Sequence, residues 1–384
     1  MSLLAKPPDN LELSTCSCRW LRTGEEGIDA MLTGIGAATE SIRLETYIFH
    51  VGQVADQFRE ALVAAAQRGV RVQVMVDALG SMNLPESFWD SLRKAGGQFT
   101  WFNPLALNRW SYRDHRKVLV CDAKISFIGG FNLADEYRGD GVTKGWRDLG
   151  LEIHGPLSEE LAQSFDDLFT CAPTRPKALR MRRGPEKISV GRNWKLVLGE
   201  PGWRRGALKR SLNADLKTAR SVKIICAYFL PTWRLRKALQ RVSKRGGKVQ
   251  LILAGKTDVF LTQLASRRLY RSFLRAGVEI YEYQPQVLHS KLFIIDNIVY
   301  AGSANMDVRS LGINYELLVR LSEPELAVEA RDIFEKDLAL CRRIDPATWN
   351  KSRNFWGKLR ENWAYFILAR IDPYFARRQR FSDW

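Results

Sequence analysis

Four histidines occur in this sequence, at positions 50, 115, 154 and 289. Two of them open segments that read almost as copies. Residues 115–132 are HRKVLVCDAKISFIGGFN, and residues 289–305 are HSKLFIIDNIVYAGSAN. Each copy has a histidine, a lysine two positions on, an aspartate five further, and a small-residue stretch that closes on asparagine. An imidazole, an ammonium and an amide on one patch suit a phosphate. The ammonium (Lys117, Lys291) and the amide (Asn132, Asn305) hold its oxygens and offset charge. The imidazole (His115, His289) attacks phosphorus or moves a proton. A single copy could be a strand end with incidental polar residues. Its repetition in a chain with so few histidines counts against that.

The spacing sets the geometry. Residues 118–121 and 292–295 are unbroken apolar runs, the mark of strands buried on both faces. Alternate residues of a strand share a face, so His115 and Lys117 project together, as do His289 and Lys291. Asp122-Ala123 and Asp296-Asn297 read as tight turns into a second strand. That strand returns Asn132 and Asn305 to the same rim.

The elements that must position these groups also repeat. Thr23 to Glu26 reads as a capping box for a helix carrying Ile28, Met31, Leu32 and Ile35. Residues 41–49 read as a strand, and Val54, Phe58, Ala61, Leu62 and Ala65 stripe a helix that closes at Arg68-Gly69. A strand over 70–76, a helix over 85–95 and a strand over 98–102 precede the first motif. A strand at 149–153 and a helix at 157–168 follow it. The series restarts with a helix at 207–219 and a strand at 222–228, which parallels 42–48. A helix to Gly247, a strand at 248–253, a helix at 259–276 and a strand at 278–283 lead to the second motif. A strand over 314–321 and a helix over 324–341 end the repeat. The expected fold is α/β, with two similar lobes, each a mixed β-sheet flanked by helices. Neither lobe holds a complete site, so the two patches should meet at the lobe interface. The expected units are an N-terminal lobe (1–170), a basic crossover linker (171–205), a C-terminal lobe (206–345) and a basic aromatic tail (346–384). The linker is rich in Pro, Gly and Arg, with Arg180, Arg182 and Arg183 close together, and reads as solvated.

The 384 residues carry 59 Lys and Arg against 42 Asp and Glu, a net charge of +17, which favours a polyanion or an anionic membrane surface as partner. Cys121 and Cys226 fall in strand patterns and are expected to be buried thiols. Cys16 and Cys18 are too close for an easy disulfide, and a reduced, cytosolic setting fits. The first residues lack a long apolar stretch, so no signal peptide is read. No run reaches the ~18 apolar residues of a spanning helix. In the tail, Trp356, Leu359, Trp363, Phe366, Ile367 and Ile371 recur at helical spacing among Arg353, Lys358, Arg360, Arg370, Arg377, Arg378 and Arg380. This reads as a helix lying on an anionic lipid surface, against the alternative of a terminal helix packed on the core. Residues 101–107 could form an apolar rim to the site.

The duplicated motif, His115-Arg116-Lys117 with Asp122 and His289-Ser290-Lys291 with Asp296, resembles the phospholipase D superfamily without departure. The resemblance spans about residues 24–340. Residues 129–137 (GGFNLADEY), Trp146-Arg147-Asp148 and Asn314-Tyr315-Glu316 resemble its bacterial cardiolipin synthase branch. The resemblance implies a phosphatidyltransferase that works through a phosphohistidine, with phosphatidylglycerol or another phospholipid as donor and a lipid hydroxyl as acceptor. It implies His115 as nucleophile and His289 as acid and base. It suggests Asp148 to orient His115 and Glu316 to orient His289. Asp122 and Asp296 join the catalytic set as motif members and are expected to fix the strand–turn geometry more than to touch substrate. No metal and no cofactor is expected. Glu45 is expected in a structural ion pair, and His50 and His154 as bystanders. The expected location is the bacterial inner membrane, peripheral, on its cytoplasmic side. The competing readings are a phospholipase D hydrolase, or a nuclease using the same histidines with the basic surface as a nucleic-acid track.

Overall fold

The computed structural model describes residues 16–104, 111–172, 187–201, 206–349, 353–374 and 376. A seven-stranded sheet runs in the order β1-β7-β6-β5-β2-β3-β4. Its strands are β1 Ser17–Leu21, β2 Ser41–Thr46, β3 Arg71–Asp77, β4 Gln98–Phe102, β5 Val118–Cys121, β6 Ile125–Gly129 and β7 Gly150–His154. A nine-stranded sheet runs β16-β12-β11-β10-β13-β14-β15-β9-β8. Here β8 is Lys187–Val190, β9 Trp194–Gly199, β10 Ser221–Cys226, β11 Lys248–Lys256 and β12 Glu279–Val287. β13 is Lys291–Ile295, β14 Ile298–Gly302, β15 Glu316–Leu321 and β16 Cys341–Arg343.

The inner strands of the two sheets correspond one to one. In each, three parallel strands (β2, β3, β4 and β10, β11, β12) meet an antiparallel meander (β5, β6, β7 and β13, β14, β15). The junctions are the antiparallel pairs β2–β5 and β10–β13. That junction places the site. Because β5 runs against β2, its first residues lie beside the end of β2, with Glu45 opposite Val118. In the same way Cys226 at the end of β10 lies opposite Lys291. The crossover helices Gln53–Gln67 and Trp233–Lys244 pack by the faces their periodicity marks, Val54, Phe58 and Leu62 on one and Leu235, Leu239 and Val242 on the other. Thr23 caps the helix Gly24–Ala37, its hydroxyl accepting from Glu26 N at 3.1 Å.

One apolar cluster crosses between the lobes. Val120, Ile128 and Leu151 of the first sheet pack with Leu292, Ile294, Val299 and Leu317 of the second. Burying such side chains contributes about 1.5–3 kcal/mol each, so the interface is core rather than a hinge.

Several expectations need correction. The segment 171–205 is more than a linker: its described part forms the β8–β9 hairpin, and β9 pairs antiparallel with β15. Trp194, Leu196 and Val197 are buried there, and the hairpin covers an edge that would otherwise expose unpaired backbone. On the first sheet β1 plays that part against β7. Arg180, Arg182 and Arg183 lie outside the described residues. The proposed rim at 101–107 also fails where it is described. Trp101 and Phe102 belong to β4, and Phe102 is buried against Phe165 and Leu168. In the tail, the helix Phe355–Phe366 packs on the core by one face and leaves an apolar face exposed. Ala364 is buried against the second lobe, and Glu361 pairs with Arg353 at 2.9 Å. Phe355, Trp356, Trp363 and Phe366 stand 51–71% exposed. Arg377, Arg378 and Arg380 lie outside the described residues. Cys121 and Cys226 are buried, and burial pushes both thiols up to about 12. Among the described residues no helix is long and apolar enough to cross a membrane.

Candidate active site

The segment before β5 and the segment before β15 exchange backbone hydrogen bonds: His115 N donates to Tyr315 O at 3.0 Å, and Tyr315 N to Arg113 O at 2.9 Å. The partner segments do the same. Arg147 N donates to Val287 O at 2.8 Å, and His289 N to Arg147 O at 2.8 Å. Each histidine is therefore tied through its backbone to the acidic strand of the opposite lobe. The side chains follow. His289 Nδ1 lies 2.6 Å from Asp148 Oδ2, and His115 Nδ1 lies 3.0 Å from Glu316 Oε1. This reverses the expected pairing, in which each histidine took the acid of its own lobe. A strand downstream in sequence is not the neighbour in space here; the two-lobe closure makes it one.

The two imidazole–carboxylate pairs differ. Asp148 sits against Gly130, where a Cβ would collide with its carboxylate, so the short acid and the glycine fit together. At the matching place in the second motif stands Ser303. Its hydroxyl donates to Glu316 Oε2 at 2.5 Å and accepts from Leu317 N at 3.1 Å. The His289–Asp148 contact is an aligned hydrogen bond, whereas His115 Nδ1 and Glu316 Oε1 face each other without hydrogen-bond alignment.

The electrostatics follow this asymmetry. Burial lowers both imidazoles, and Lys117, Lys291 and His289 press His115 well below its usual value. His289 is lowered by burial and Lys291, but Asp148 works in the opposite direction. Burial pushes the Asp148 carboxyl upward, but Lys291 and His289 more than offset it, so it stays below the usual carboxylate range. Burial instead pushes Glu316 up to about 7. Burial brings Lys117 down to about 7, with Glu316 opposing, and also lowers Lys291. Two cations that are costly to bury without a counter-ion are held at one place, ready for an anion.

Lys117 Nζ donates to His115 O at 2.6 Å. Lys291 Nζ donates to His289 O and lies 3.2 Å from His289 Nε2. The asparagines have work on the backbone that was not expected. Asn132 Oδ1 accepts from Ile48 N at 3.1 Å, and its amide donates to the Tyr137 hydroxyl at 2.6 Å. Asn305 Oδ1 accepts from Tyr228 N at 3.3 Å. Both are almost wholly buried, so they fix the loops after β2 and β10. Asp122 accepts from Glu40 N and Ser41 N, each at 2.8 Å, and Asp296 accepts from Ser221 N at 2.8 Å. Both stand in the left-handed region, φ 54° and 52°. They hold the starts of β2 and β10, the ends of those strands away from the histidines, and so position rather than react. Glu45 forms a buried two-point ion pair with Arg116, Nη2 to Oε2 at 2.7 Å. His50 stands 3.5 Å from Glu136, and His154 2.9 Å from Glu152, both away from the paired motifs.

The sequence reading missed the aromatic walls. Tyr47 lies 5.0 Å from the His115 ring, and Tyr137, Trp146 and Tyr228 lie 5.2, 5.8 and 6.4 Å from that of His289. Tyr47 and Tyr228 were legible, since each follows a repeated strand. Arg147 was quoted only as motif wording. It forms a buried ion pair with Asp337 at 2.8 Å and donates to Asp148 O at 2.8 Å, which locks the strap that carries Asp148.

A family model described as "Cardiolipin synthase, PLD-like domain" matches residues 31–170 and 212–338. The chain belongs to the phospholipase D superfamily, in its cardiolipin synthase branch. Cardiolipin synthase B of Escherichia coli (strain K12) is 31% identical over 363 residues, covering 91% of this chain and 86% of that one. Cardiolipin synthase 2 of Bacillus anthracis is 32% identical over 346 residues, covering 87% and 67%. Among solved structures, phosphatidylserine synthase of Haemophilus influenzae Rd KW20 shares the fold, with a TM-score of 0.73 at 12% identity over 93% and 94% of the chains. The duplicated motif of this superfamily member is thus housed in two lobes that share one pair of crossed imidazole–carboxylate contacts.

Proposed function

We propose that this enzyme, a phospholipid phosphatidyltransferase by family, moves a phosphatidyl group from phosphatidylglycerol or a related phospholipid to a second lipid's hydroxyl, giving cardiolipin. The crossed pairs carry the reading, because two unequal imidazoles facing one cationic pocket suit two-step transfer. His115 is held neutral and attacks phosphorus through the ring nitrogen turned away from Glu316. The P–N bond forms as the P–O bond to the leaving alcohol breaks, and His289 gives that alcohol its proton. In the second step the acceptor hydroxyl gives its proton to His289, its oxygen bonds phosphorus, and the P–N bond breaks. Asp148 orients His289 and favours its protonated form; Glu316 faces His115 Nδ1 and helps to place its ring while leaving it neutral. Lys117 and Lys291 offset charge on the nonbridging oxygens, which is greatest in the transition state. Asn132 and Asn305 support the walls of this pocket.

Peripheral attachment at the cytoplasmic face of the inner membrane fits the exposed ridge of Phe355, Trp356, Trp363 and Phe366, with Lys358 and Arg360 on the same helix. The test is mass spectrometry of products from the purified protein and mixed lipids, without added metal. Cardiolipin from phosphatidylglycerol is expected. Robust cleavage of DNA or RNA with no lipid turnover would overturn the reading in favour of a nuclease.

A further inference from the structure

A groove of about 980 Å³ opens between the helix Ala207–Leu216, the start of the helix Trp233–Lys244, the loop at 308–313 and the last turns of the tail. Among the described residues, Lys209, Arg210, Arg234, Arg236 and Arg370 line it and no carboxylate does. Its apolar lining includes Leu230, Val308, Ile313 and Ala369, with the rings of Tyr112, Trp233 and Tyr365. A second depression of about 390 Å³ shares Asn213, Trp233 and Arg234 with it and runs on past Leu216, Arg241 and Arg245. The whole is a long slot with apolar surface beneath and positive charge above.

Two of its lining residues lie close in the chain to the paired motifs. Tyr112 lines the groove and lies three residues before His115, at most about 11 Å of extended chain. Leu230 lies two residues after Tyr228, whose ring faces His289. Arg309, next to Val308, donates to Ser111 O at 2.9 Å and pairs with Asp372 at 2.5 Å, and it is among the cations that lower His115. The tail, the groove wall and the His115 segment are therefore one connected structure. Tyr112 adds to it by donating its hydroxyl to Ala376 O at 2.9 Å.

We propose that this groove is the acceptor-lipid site, taking an anionic phospholipid that carries a free headgroup hydroxyl. An acyl chain lies on the apolar lining, the phosphate meets Arg234 and Arg236, and the hydroxyl extends toward His289. The volume suits part of a lipid rather than an ion, since sites for small molecules occupy about 300–1,000 Å³. Three aromatic side chains, Tyr112, Trp233 and Tyr365, also line the groove, so a nucleic-acid strand is the alternative occupant that the competition below tests. The inference rests on the phosphatidyl-transfer reading and adds where its second substrate binds.

The test uses the full chain with vesicles of phosphatidylglycerol and phosphatidylcholine that contain a phosphatidylglycerol bearing a photoreactive acyl chain. Crosslinks are expected on residues 207–216 and 230–236. The charge-removing pair Arg234→Gln/Arg236→Gln, and the stronger pair Arg234→Glu/Arg236→Glu, should raise the apparent KM for phosphatidylglycerol about tenfold, with a much smaller effect on kcat. Crosslinks confined to the exposed tail ridge, or an unchanged KM in both pairs, would overturn the proposal. So would displacement of the probe by glycerol 3-phosphate or an oligonucleotide as readily as by unlabelled phosphatidylglycerol vesicles. If the wild type makes no cardiolipin, the transfer reading fails by itself, and the crosslink map still decides whether lipid occupies the groove.

Discussion

The two halves of the site come from one repeated pattern yet are not equivalent. Gly130 leaves room for Asp148 to approach His289 to 2.6 Å, and Lys291 helps keep that acid ionised. Ser303 in the matching place takes a hydrogen bond's worth of Glu316, whose other oxygen stands 3.0 Å from His115 out of line. A buried carboxylate raised to about 7 supports a neutral imidazole, and an ionised one supports a protonated imidazole. The repeat holds two copies of the equipment; a glycine, a serine and one methylene of acid length give them different surroundings.

The comparison can be broken at several depths. His115→Ala and His289→Ala should each remove turnover, because each removes a reacting group; near-native rates in either variant would end the paired-imidazole mechanism. Asp148→Asn should lower kcat by about 10⁴-fold, by analogy with loss of the acid that orients a catalytic histidine. Glu316→Gln should cost far less, about tenfold. Equal losses in steady-state rates would mean that the halves are equivalent after all.

The pH profile sharpens the same contrast. Lys117 has its ammonium lowered to about 7, so its charge is present below that pH and lost as pH rises through it. The alkaline limb of kcat/KM should therefore fall near pH 7, and that of kcat higher, since the bound diester anion favours the ammonium. Glu316 is the main group opposing the loss of that proton. Glu316→Gln should accordingly move the limb to lower pH. Ser303→Ala removes a hydrogen bond that lowers Glu316, so Glu316 should ionise at higher pH, with a loss of a fewfold in rate at neutral pH. The smallest effect on chemistry is expected from Asp122→Asn. It weakens charge-assisted hydrogen bonds to Thr39, Glu40 and Ser41 and should cost roughly 1–3 kcal/mol in denaturant stability. An equally large loss of kcat in the folded variant would place Asp122 in the chemistry.

The fold was largely legible because the repeat announces itself: buried runs such as Val118–Cys121 and Lys291–Ile295, closed by turns at Asp122 and Asp296, can hardly be anything but central strands. Edge strands were not. Ser17–Leu21 and Lys187–Val190 carry half-exposed, polar-rich faces, and pairing to a distant strand rather than local pattern makes them strands. The two histidines and two lysines that the structure brings together were legible from residue type and spacing. Their cross-lobe pairing was not, because it depends on how two sheets close. Nor was the work of Asn132 and Asn305, since a motif gives a residue's place and not which way its amide turns.

On the proposed mechanism the unequal halves assign attack to His115. The direct test is rapid quench of the enzyme with phosphate-labelled phosphatidylglycerol, followed by digestion under alkaline conditions and mass spectrometry of the labelled peptide. A phosphohistidine at residue 115 is expected at early times in the wild type, with little label on any residue when His289, which also serves the leaving alcohol, is replaced by alanine. Label on His289, or cardiolipin formed with no labelled histidine at any time, would contradict that assignment.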